Sequence, residues 1–227
     1  MRRAYVAAVT GALIVLPLAA CDAPDPEDSS TATSTTIAFP YPALQFYTEI
    51  AIPLEEPRLS AVEFALDMKA NDLRMLDPQE FHAIREEFRA KVAPEVDNNR
   101  DPSLSIGYVD KTGGVTLRAV EVREPEEGVV EVSVCIYNTP GQYTLHIDGS
   151  IGEAVKPYHL RRPRVQWTDR PAADGSVPDG PRWLFVDDGV DLSMTDEIKV
   201  GVCEPFKPDP FIQKMPDPTE PTTTPGG

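Results

Sequence analysis

Positive charge is scarce in this chain of 227 residues, where 21 Lys and Arg stand against 37 Asp and Glu. The resulting net charge of −16 repels nucleic acid and the anionic face of a membrane. DNA and RNA are therefore set aside as partners. Cysteine and histidine are also rare, with three of each, and the scattered His82, His146 and His159 give no zinc-ligand spacing. We predict no metal site.

Recognised catalytic signatures are missing as well. The chain has no Gly-x-Ser-x-Gly elbow, no His-Glu-x-x-His pair, no phosphate-binding glycine loop and no dinucleotide fingerprint. An enzyme can work without these motifs, so their absence lowers the expectation of catalysis without removing it. We predict no cofactor and assign no catalytic residue.

The apolar run at the start of the chain is too short for a permanent membrane helix. It extends from Ala4 to Leu18, whereas a spanning helix needs roughly 20 residues. Arg2 and Arg3 precede the run and small residues follow it, which is the pattern of an export signal that is removed. We therefore predict a signal peptide over residues 1–20.

A cysteine stands directly after the predicted cleavage site, in Leu18-Ala19-Ala20-Cys21. This resembles the lipobox of bacterial lipoproteins, in which the first three residues occupy the peptidase positions and the cysteine is acylated. The resemblance implies a diacylglycerol, carrying acyl chains such as palmitate, on Cys21, and two acyl chains hold a protein stably at a membrane. A secreted protein with a chance cysteine is the alternative. We expect an exported protein anchored through Cys21 to the outer face of the cell membrane.

Proline is abundant, with 24 residues, which is about twice its usual share. Residues 22–36 carry no large apolar side chain, so this stretch is predicted to be a disordered tether. Residues 37–57 are predicted to be an ordered, proline-rich arm with a helical turn near 43–50. The predicted organisation is a signal peptide (1–20), the lipidated Cys21 with tether and arm (21–57), a globular domain (58–204) and a proline- and threonine-rich tail (205–227).

If Cys21 is lipidated, Cys135 and Cys203 remain as an isolated pair, 68 positions apart. An exported protein meets an oxidising compartment, where such a pair usually forms a disulfide. Closing a loop of this length stabilises a fold by about 4 kcal/mol. Free thiols are the alternative.

Two helices are predicted after the arm. Ser60 and Glu63 have the spacing of a capping box, and apolar residues continue that helix to about residue 75. Asp77 is the predicted N-cap of a second helix, which Pro78 opens. The second helix must end before Pro94, because the residue preceding a proline disfavours helical geometry.

Beyond residue 99 the apolar residues recur with a period of two, which predicts strands. A turn is predicted at Lys111-Thr112-Gly113-Gly114, because glycines favour turns. In the clearest strand, valines face one side and Cys135 the other. The predicted strands are 104–110, 115–123, 129–138, 143–147, 161–168, 182–187 and 198–203.

Helices followed by an antiparallel meander predict an α+β fold in which N-terminal helices pack on a curved antiparallel β-sheet. With the lipobox and the late cysteine pair, this order resembles the small exported lipoproteins of actinobacteria (mycobacterial type) that carry an NTF2-like, or cystatin-like, domain. The resemblance also rests on the run from Arg164-Val165-Gln166-Trp167 to Arg182-Trp183-Leu184-Phe185. It covers roughly residues 58–203 and implies that fold. That family carries no agreed catalytic residues, so the resemblance transfers none.

A basic island in this acidic chain is a candidate anion patch, able to bind a phosphate or carboxylate. The alternative is a strand whose arginines pair with nearby acids. The patch consists of Lys156, His159, Arg161, Arg162 and Arg164.

Trp167 and Trp183 flank a loop rich in Pro, Gly and Asp, and they are candidates for the mouth of a pocket that admits an apolar ligand. Core tryptophans that face inward are the alternative. Asp187, Asp188 and Asp191 offer oxygen ligands, but they lack the spacing and terminal glutamate of a calcium loop. A solvated turn is therefore favoured there.

Two main functions of different classes remain, and a structural accessory subunit, which predicts a large exposed apolar patch, is a third possibility. The first is a non-enzymatic, membrane-anchored envelope lipoprotein that binds an envelope lipid, a glycan or a protein partner. The second is an NTF2-like enzyme of the isomerase or cyclase type, with a buried acid and base in a cone cavity, and it rests on fold analogy alone. An acid and a base that converge in one cavity would favour the enzyme.

Overall fold

The computed structural model describes residues 40–76, 78–97 and 108–219. Within these ranges the chain forms the helices α1 (Arg58–Arg74), α2 (Pro78–Arg89) and α3 (Asp196–Cys203). Its strands are β1 (Gln45–Ile50), β2 (Tyr108–Glu126), β3 (Val129–Tyr137), β4 (Gln142–His146), β5 (Ile151–Glu153), β6 (Tyr158–Arg161), β7 (Arg164–Thr168) and β8 (Arg182–Asp187). A short 3₁₀ turn, Glu204–Phe206, follows α3.

The long strand β2 organises one curved sheet. Its first part pairs with β4 up to Gly113, and its later part pairs with β3 from Thr116 onward. The main path of the sheet is β5-β4-β2-β3-β7-β8, while β1 adds to β2 as a parallel strand and β6 adds to β3. The sheet is a mostly antiparallel half-barrel, so the predicted α+β class with helices on a curved sheet is confirmed.

Helix α1 packs on one face of the sheet, which we call the helix face, and contacts β1, β2, β3, β7 and β8. Small and medium side chains let the helix approach closely, among them the fully buried Ala61, Ala65 and Met68. From the sheet, alternate residues of β3 meet them: Val130, Val132, Val134 and Ile136. Burying one such valine or leucine stabilises the fold by about 1.5–3 kcal/mol, so this interface is the main core.

The other face of the sheet, which we call the opposite face, carries a second buried cluster. Cys135 and Tyr137 of β3 lie there beside Leu160 of β6, and α3 covers them. The Tyr137 hydroxyl donates a hydrogen bond of 2.6 Å to the carbonyl oxygen of Cys203. The predicted division of β3, with valines on one side and Cys135 on the other, is confirmed.

The predicted helical turn near 43–50 is wrong, because this segment is the strand β1. It pairs in register with β2, from Gln45 opposite Gly114 to Ile50 opposite Ala119. Phe46 and Ile50 pack against the main core while the residues between them are exposed. The backbone pairing with β2 and the packing of Phe46 and Ile50 on the core thus hold the segment as a strand, although prolines flank it.

The predicted turn at 111–114 is also wrong, because β2 continues through it. Gly113 has a φ of +95°, and a Cβ atom there would lie 1.7 Å from the carbonyl oxygen of Gly141. The two glycines therefore permit a close approach between β2 and the start of β4, rather than a reversal of the chain. Of the predicted strand 104–110, residues 104–107 lie outside the described residues.

The predicted strand 198–203 is wrong, because these residues belong to α3. Ile198 and Val200 alternate like strand residues, yet both are substantially exposed. Thr195 caps the helix by accepting a hydrogen bond from the Ile198 amide at 3.4 Å. Asp196 and Glu197 then place negative charge in the first turn, where the helix dipole favours it.

The two N-terminal helices are confirmed, but the predicted cap of the first is not. Helix α1 begins at Arg58, and Ser60 lies inside it, where the serine hydroxyl donates to the Pro57 carbonyl oxygen at 2.9 Å. Helix α2 begins at Pro78 and ends at Arg89, before the predicted limit. Asp77 lies outside the described residues. The predicted strand 161–168 is divided by Pro163 into β6 and β7.

The described part of the tail lies against the domain. Phe206 and Phe211 pack against the cluster on the opposite face. Farther along, the Ile212 amide donates to the Thr139 hydroxyl at 3.1 Å, and the Thr219 amide donates to the Pro40 carbonyl oxygen at 2.5 Å. None of the helices in the described ranges is long and apolar enough to cross a membrane.

Candidate functional site

The two tryptophans of the chain lie side by side. Trp167 on β7 and Trp183 on β8 are register partners in the antiparallel pair. Their ring centroids are 5.2 Å apart with the planes inclined by 65°, an edge-to-face contact. Trp167 is 52% exposed, whereas Trp183 is partly buried and contacts the main core. A large aromatic surface is therefore held in a fixed orientation and remains accessible.

These rings form one wall of a pocket of about 370 Å³, which we call the tryptophan pocket. Its other apolar groups come from Pro57 before α1 and from Val129 and Val130 of β3. The volume lies within the range of roughly 300–1,000 Å³ that is typical of small-molecule sites. The structure thus brings Trp167 and Trp183 together in a pocket, rather than placing both in the core.

Few polar groups border the tryptophan pocket. Arg58 and Glu124 lie on its rim and pair with each other, with 2.5 Å between Nε and Oε1. Both side chains are about half exposed, so the ion pair contributes little stability. The Trp183 indole N–H donates to the Ser60 hydroxyl at 3.2 Å. The pocket therefore joins an aromatic wall to a paired guanidinium and carboxylate that a ligand can reach.

The predicted anion patch does not come together as one surface. Lys156 pairs with Asp196 at 3.2 Å, and Arg164 pairs with Glu131 at 2.8 Å. The backbone amide of Arg162 donates to the Gly189 carbonyl oxygen at 3.2 Å, at the break between β6 and β7. Lys156 and Arg164 thus follow the alternative reading, in which basic side chains pair with nearby acids.

His159 and Arg161 have a different environment from the rest of that patch. On β6 they lie opposite Ile136 and Val134, the residues of β3 that face the helices. Tyr158 and Leu160, which alternate with them, are buried on the opposite face. Period-two alternation in 158–161 is a signal that separates these two residues from the island.

His159 and Arg161 line a cleft of about 230 Å³, which we call the basic cleft. Lys111 of β2 and the amides Asn138 and Gln142 line it as well. Its apolar surface comes from β1, the end of α1 and the sheet, through Leu44, Phe46, Leu73, Leu76, Val115 and Ile136.

The surroundings of His159 favour the neutral form of its imidazole. Burial lowers its pKa below the ordinary value of 6.5, and the positive charges of Arg161, Lys156 and Lys199 lower it further. The basic cleft therefore holds a neutral imidazole beside a guanidinium.

The three aspartates weighed as calcium ligands cap their own turns. Asp187 accepts from the Gly189 amide at 2.8 Å, Asp188 from the Val190 amide at 3.0 Å, and Asp191 from the Ser193 amide at 2.9 Å. These are aspartate turns of the kind that stabilise loops. Across the described ranges, no group of three or more His, Cys, Asp and Glu side chains has a metal-binding arrangement.

One buried charged pair was missed by the sequence analysis. Lys69 and Asp72 of α1 are nearly inaccessible, and their Nζ and Oδ2 atoms are 2.6 Å apart. Lys69 also donates to the Asp188 carbonyl oxygen at 3.4 Å. The signal was a charged pair at i, i+3 on the face that carries Ala65 and Met68. The adjoining cavity of about 20 Å³ holds a single water at most.

The cysteines divide between described and undescribed residues. The Sγ atoms of Cys135 and Cys203 lie 2.02 Å apart, the distance of a disulfide, and both residues are buried. Cys21, with the predicted peptidase positions Leu18, Ala19 and Ala20, lies outside the described residues.

No protein-family model matches this chain, and no curated protein or solved structure is significantly similar to it.

Proposed function

We propose that the protein is a membrane-anchored envelope lipoprotein that binds a ligand without transforming it. The Trp167–Trp183 pocket is the observation that carries the binding function. The N-terminal sequence supports the anchor, since an export signal ends at Leu18-Ala19-Ala20-Cys21. On this proposal the domain stands on the outer face of the cell membrane, held by two acyl chains on Cys21.

The fold is proposed to be a variant of the NTF2-like, or cystatin-like, class. Helices that precede a curved, mostly antiparallel sheet and pack on one of its faces support this assignment. Two features depart from a plain helix-then-sheet order: the parallel strand β1 and the helix α3 on the opposite face.

Binding is favoured over the enzymatic alternative because the cavity beside the buried charged pair, Lys69 and Asp72, is too small for a substrate. The acid and base closest to the enzyme hypothesis are Asp72 and Lys69, but the cavity next to them admits no substrate. The larger tryptophan pocket has an aromatic wall, and its rim acid Glu124 is half exposed and paired with Arg58. An acid and a base with shifted pKa values that face one substrate-sized cavity are the usual mark of acid–base catalysis. In the basic cleft His159 has a lowered pKa, but no carboxylate is among the described lining residues to act with it.

We assign the tryptophan pocket to a neutral sugar ring of an envelope glycan. A sugar ring presents an apolar C–H face that can lie against Trp167, while its hydroxyls can bond to Arg58 and Glu124. Mixed aromatic and polar lining of this kind suits a ligand that is apolar on one side and polar at its edge. A fully apolar ligand would leave the two charged groups on the rim without new partners.

Intrinsic fluorescence tests this proposal directly, because the chain has two tryptophans and both line the pocket. The full chain is titrated with neutral trisaccharides such as maltotriose, cellotriose and mannotriose. We expect at least one to shift the tryptophan emission with saturation. Trp167→Ala should weaken its binding at least tenfold in calorimetry, the effect typical of an aromatic anchor.

The matched control is Tyr47→Ala, which removes an exposed aromatic residue of β1 that does not line the tryptophan pocket. This variant should bind like the wild type. A sugar that binds equally well to Trp167→Ala would overturn the assignment of the pocket. If no sugar binds, but a neutral apolar probe such as naphthalene does, the ligand class is wrong.

A further inference from the structure

The basic cleft is a second place where a ligand fits, and it differs from the tryptophan pocket in chemistry. It lies on the helix face of the sheet, between β6 and the end of α1. His159 and Arg161 line it from β6, and Leu73 and Leu76 line it from the end of α1 and just beyond. The tryptophan pocket is lined by other residues, from β7, β8 and the start of α1. Among the residues that the structure describes, none lines both sites, so the two sites can be tested independently.

Charge in the basic cleft is opposite to that of the chain as a whole. The protein carries a net charge of −16, yet the described lining of the cleft includes the cations Lys111 and Arg161, the neutral imidazole of His159 and no carboxylate. Within the described ranges, Arg161 forms no ion pair, and its guanidinium donates to the neighbouring Leu160 carbonyl oxygen at 3.1 Å. A guanidinium has five N–H donors, so most of its donors remain available.

Arg161 differs from Lys156 and Arg164 of the island, because it is partly buried and its described surroundings contain no acid that pairs with it. Lys156 and Arg164 meet acids, whereas Arg161 is half-buried beside a half-buried imidazole. A charged group taken out of water needs a compensating partner. An anionic ligand supplies that partner, and a planar carboxylate or phosphate suits the fork of N–H groups on an arginine.

The remaining surface of the basic cleft is apolar, with Phe46 of β1, Leu73 of α1 and Ile136 of β3 among its groups. The volume of the cleft is about 230 Å³, and one water-sized group occupies about 30 Å³. The cleft therefore has room for about seven or eight non-hydrogen atoms. This space encloses most of a medium-length amphiphile and leaves the rest of it in solvent, and it is too small for a whole lipid.

We propose that the basic cleft binds an anionic amphiphile: its carboxylate or phosphate head bonds to Arg161 and His159, and its alkyl chain lies against Phe46 and Leu73. This inference adds a second ligand to the protein and is independent of the sugar proposed for the tryptophan pocket.

Octanoate is the probe, with octyl phosphate, octanol and octylamine as companions of equal chain length. Calorimetry on the full chain should give binding of octanoate or octyl phosphate at one site, and comparison of the two tells which head group is preferred. Octanol and octylamine should bind at least tenfold more weakly, because neither offers an anion to Arg161. Octylamine that binds as tightly as both anions would overturn the proposal.

Variants then locate the site. Arg161→Gln should weaken the binding of the preferred anion at least tenfold, while Arg123→Gln, at an exposed arginine paired with Glu121, should leave it unchanged. Trp167→Ala should also leave it unchanged. Equal binding by the wild type and Arg161→Gln, or loss of binding in Trp167→Ala, would show that the cleft is not the site.

An NMR titration gives a readout that global destabilisation does not imitate. The pKa of His159 should rise when the cleft is saturated with the anion, since a negative charge nearby favours the imidazolium. His82 serves as an internal reference, because it is an exposed residue of α2 outside the cleft. A His159 pKa that stays constant at saturation would place the anion elsewhere.

Discussion

Removing the Cys135–Cys203 bridge is the change with the clearest expected magnitude. The bridge joins β3 to the end of α3 and closes a loop of 68 positions that contains β4 to β8. Loop closure of this length constrains the unfolded chain by about 4 kcal/mol. The double variant Cys135→Ala/Cys203→Ala should therefore lose about that much free energy of unfolding. For a domain of this size the melting temperature should fall by about 10 °C.

The native fold should survive this change, because α3 has other contacts. The Tyr137 hydroxyl bonds to the Cys203 carbonyl oxygen, and Met194 and Phe206 pack on the same cluster. Urea denaturation followed by circular dichroism should show a single transition. With a slope of about 2 kcal/mol/M, the midpoint should move down by about 2 M.

Tyr137→Phe is the matched control, since it keeps the bridge and removes one buried hydrogen bond beside it. Its cost should be about 1–2 kcal/mol, well below that of the double variant. The reasoning fails if the double variant and the wild type unfold at the same urea concentration under oxidising conditions. Identical curves would mean that the two cysteines are not bridged in the protein.

Three further changes test the fold and its charges. Gly113→Ala should cost about 2 kcal/mol or more of unfolding free energy, because it places a Cβ atom at a φ of +95° and 1.7 Å from the Gly141 carbonyl oxygen. Gly180→Ala, at a site with open space around it, should be near neutral in urea denaturation, and identical curves for the two variants would refute the close approach. Lys69→Met should cost about 3–5 kcal/mol, because it leaves the buried Asp72 carboxylate without its lysine, and Lys69→Met/Asp72→Leu should recover most of that loss; a single variant as stable as the wild type would contradict the buried pair. The folded chain takes up a proton on His159 less readily than the unfolded chain, whose histidines titrate near 6.5. The free energy of unfolding of the wild type, measured in urea, should therefore fall more than that of His159→Gln as the pH falls from 7 to 5. Parallel losses in the two proteins would refute the lowered pKa.

Local periodicity was enough to predict the elements whose burial follows one regular pattern. Helix α2 buries Phe81 and Phe88, which lie seven residues apart on one stripe of the helix. Strand β3 shows strict alternation and is buried on both faces. In these segments the local propensity, the hydrophobic pattern and the packing all favour the same structure, so the structure can be predicted from the sequence.

The errors fall where contacts distant in sequence decide the structure. Strand β1 exists because β2 offers it a parallel partner more than 60 residues away in sequence, which no local pattern announces. Helix α3 looks like a strand in its spacing of Ile198, Val200 and Val202, but it contacts β6 and is bonded to β3 through Cys203, and both partners lie far away in sequence. Glycine pairs read as turns locally, whereas Gly113 and Gly141 permit two strands to approach.

The candidate sites show the same division. The sequence offers the tryptophans either as a pocket mouth or as core residues, and the register of β7 with β8, which brings them into contact, comes only from the fold. The basic island can be read from the sequence as one patch or as arginines paired with acids, and alternation along β6 places Arg161 and Leu160 on different faces of the sheet. The acids that neutralise Lys156 and Arg164 come from α3 and β3, so those pairings depend on the folded topology.

The membrane anchor on Cys21 is the claim on which the proposed role as an envelope protein depends, and an intact mass measures it most directly. The full chain is extracted from the membranes of a bacterial host that processes lipoproteins, then weighed before and after reduction. We predict loss of residues 1–20, the added mass of a diacylglycerol, and a gain of two hydrogens on reduction as the Cys135–Cys203 bridge opens. A processed chain without lipid mass, recovered from the medium, would contradict the anchor and make this a freely secreted protein.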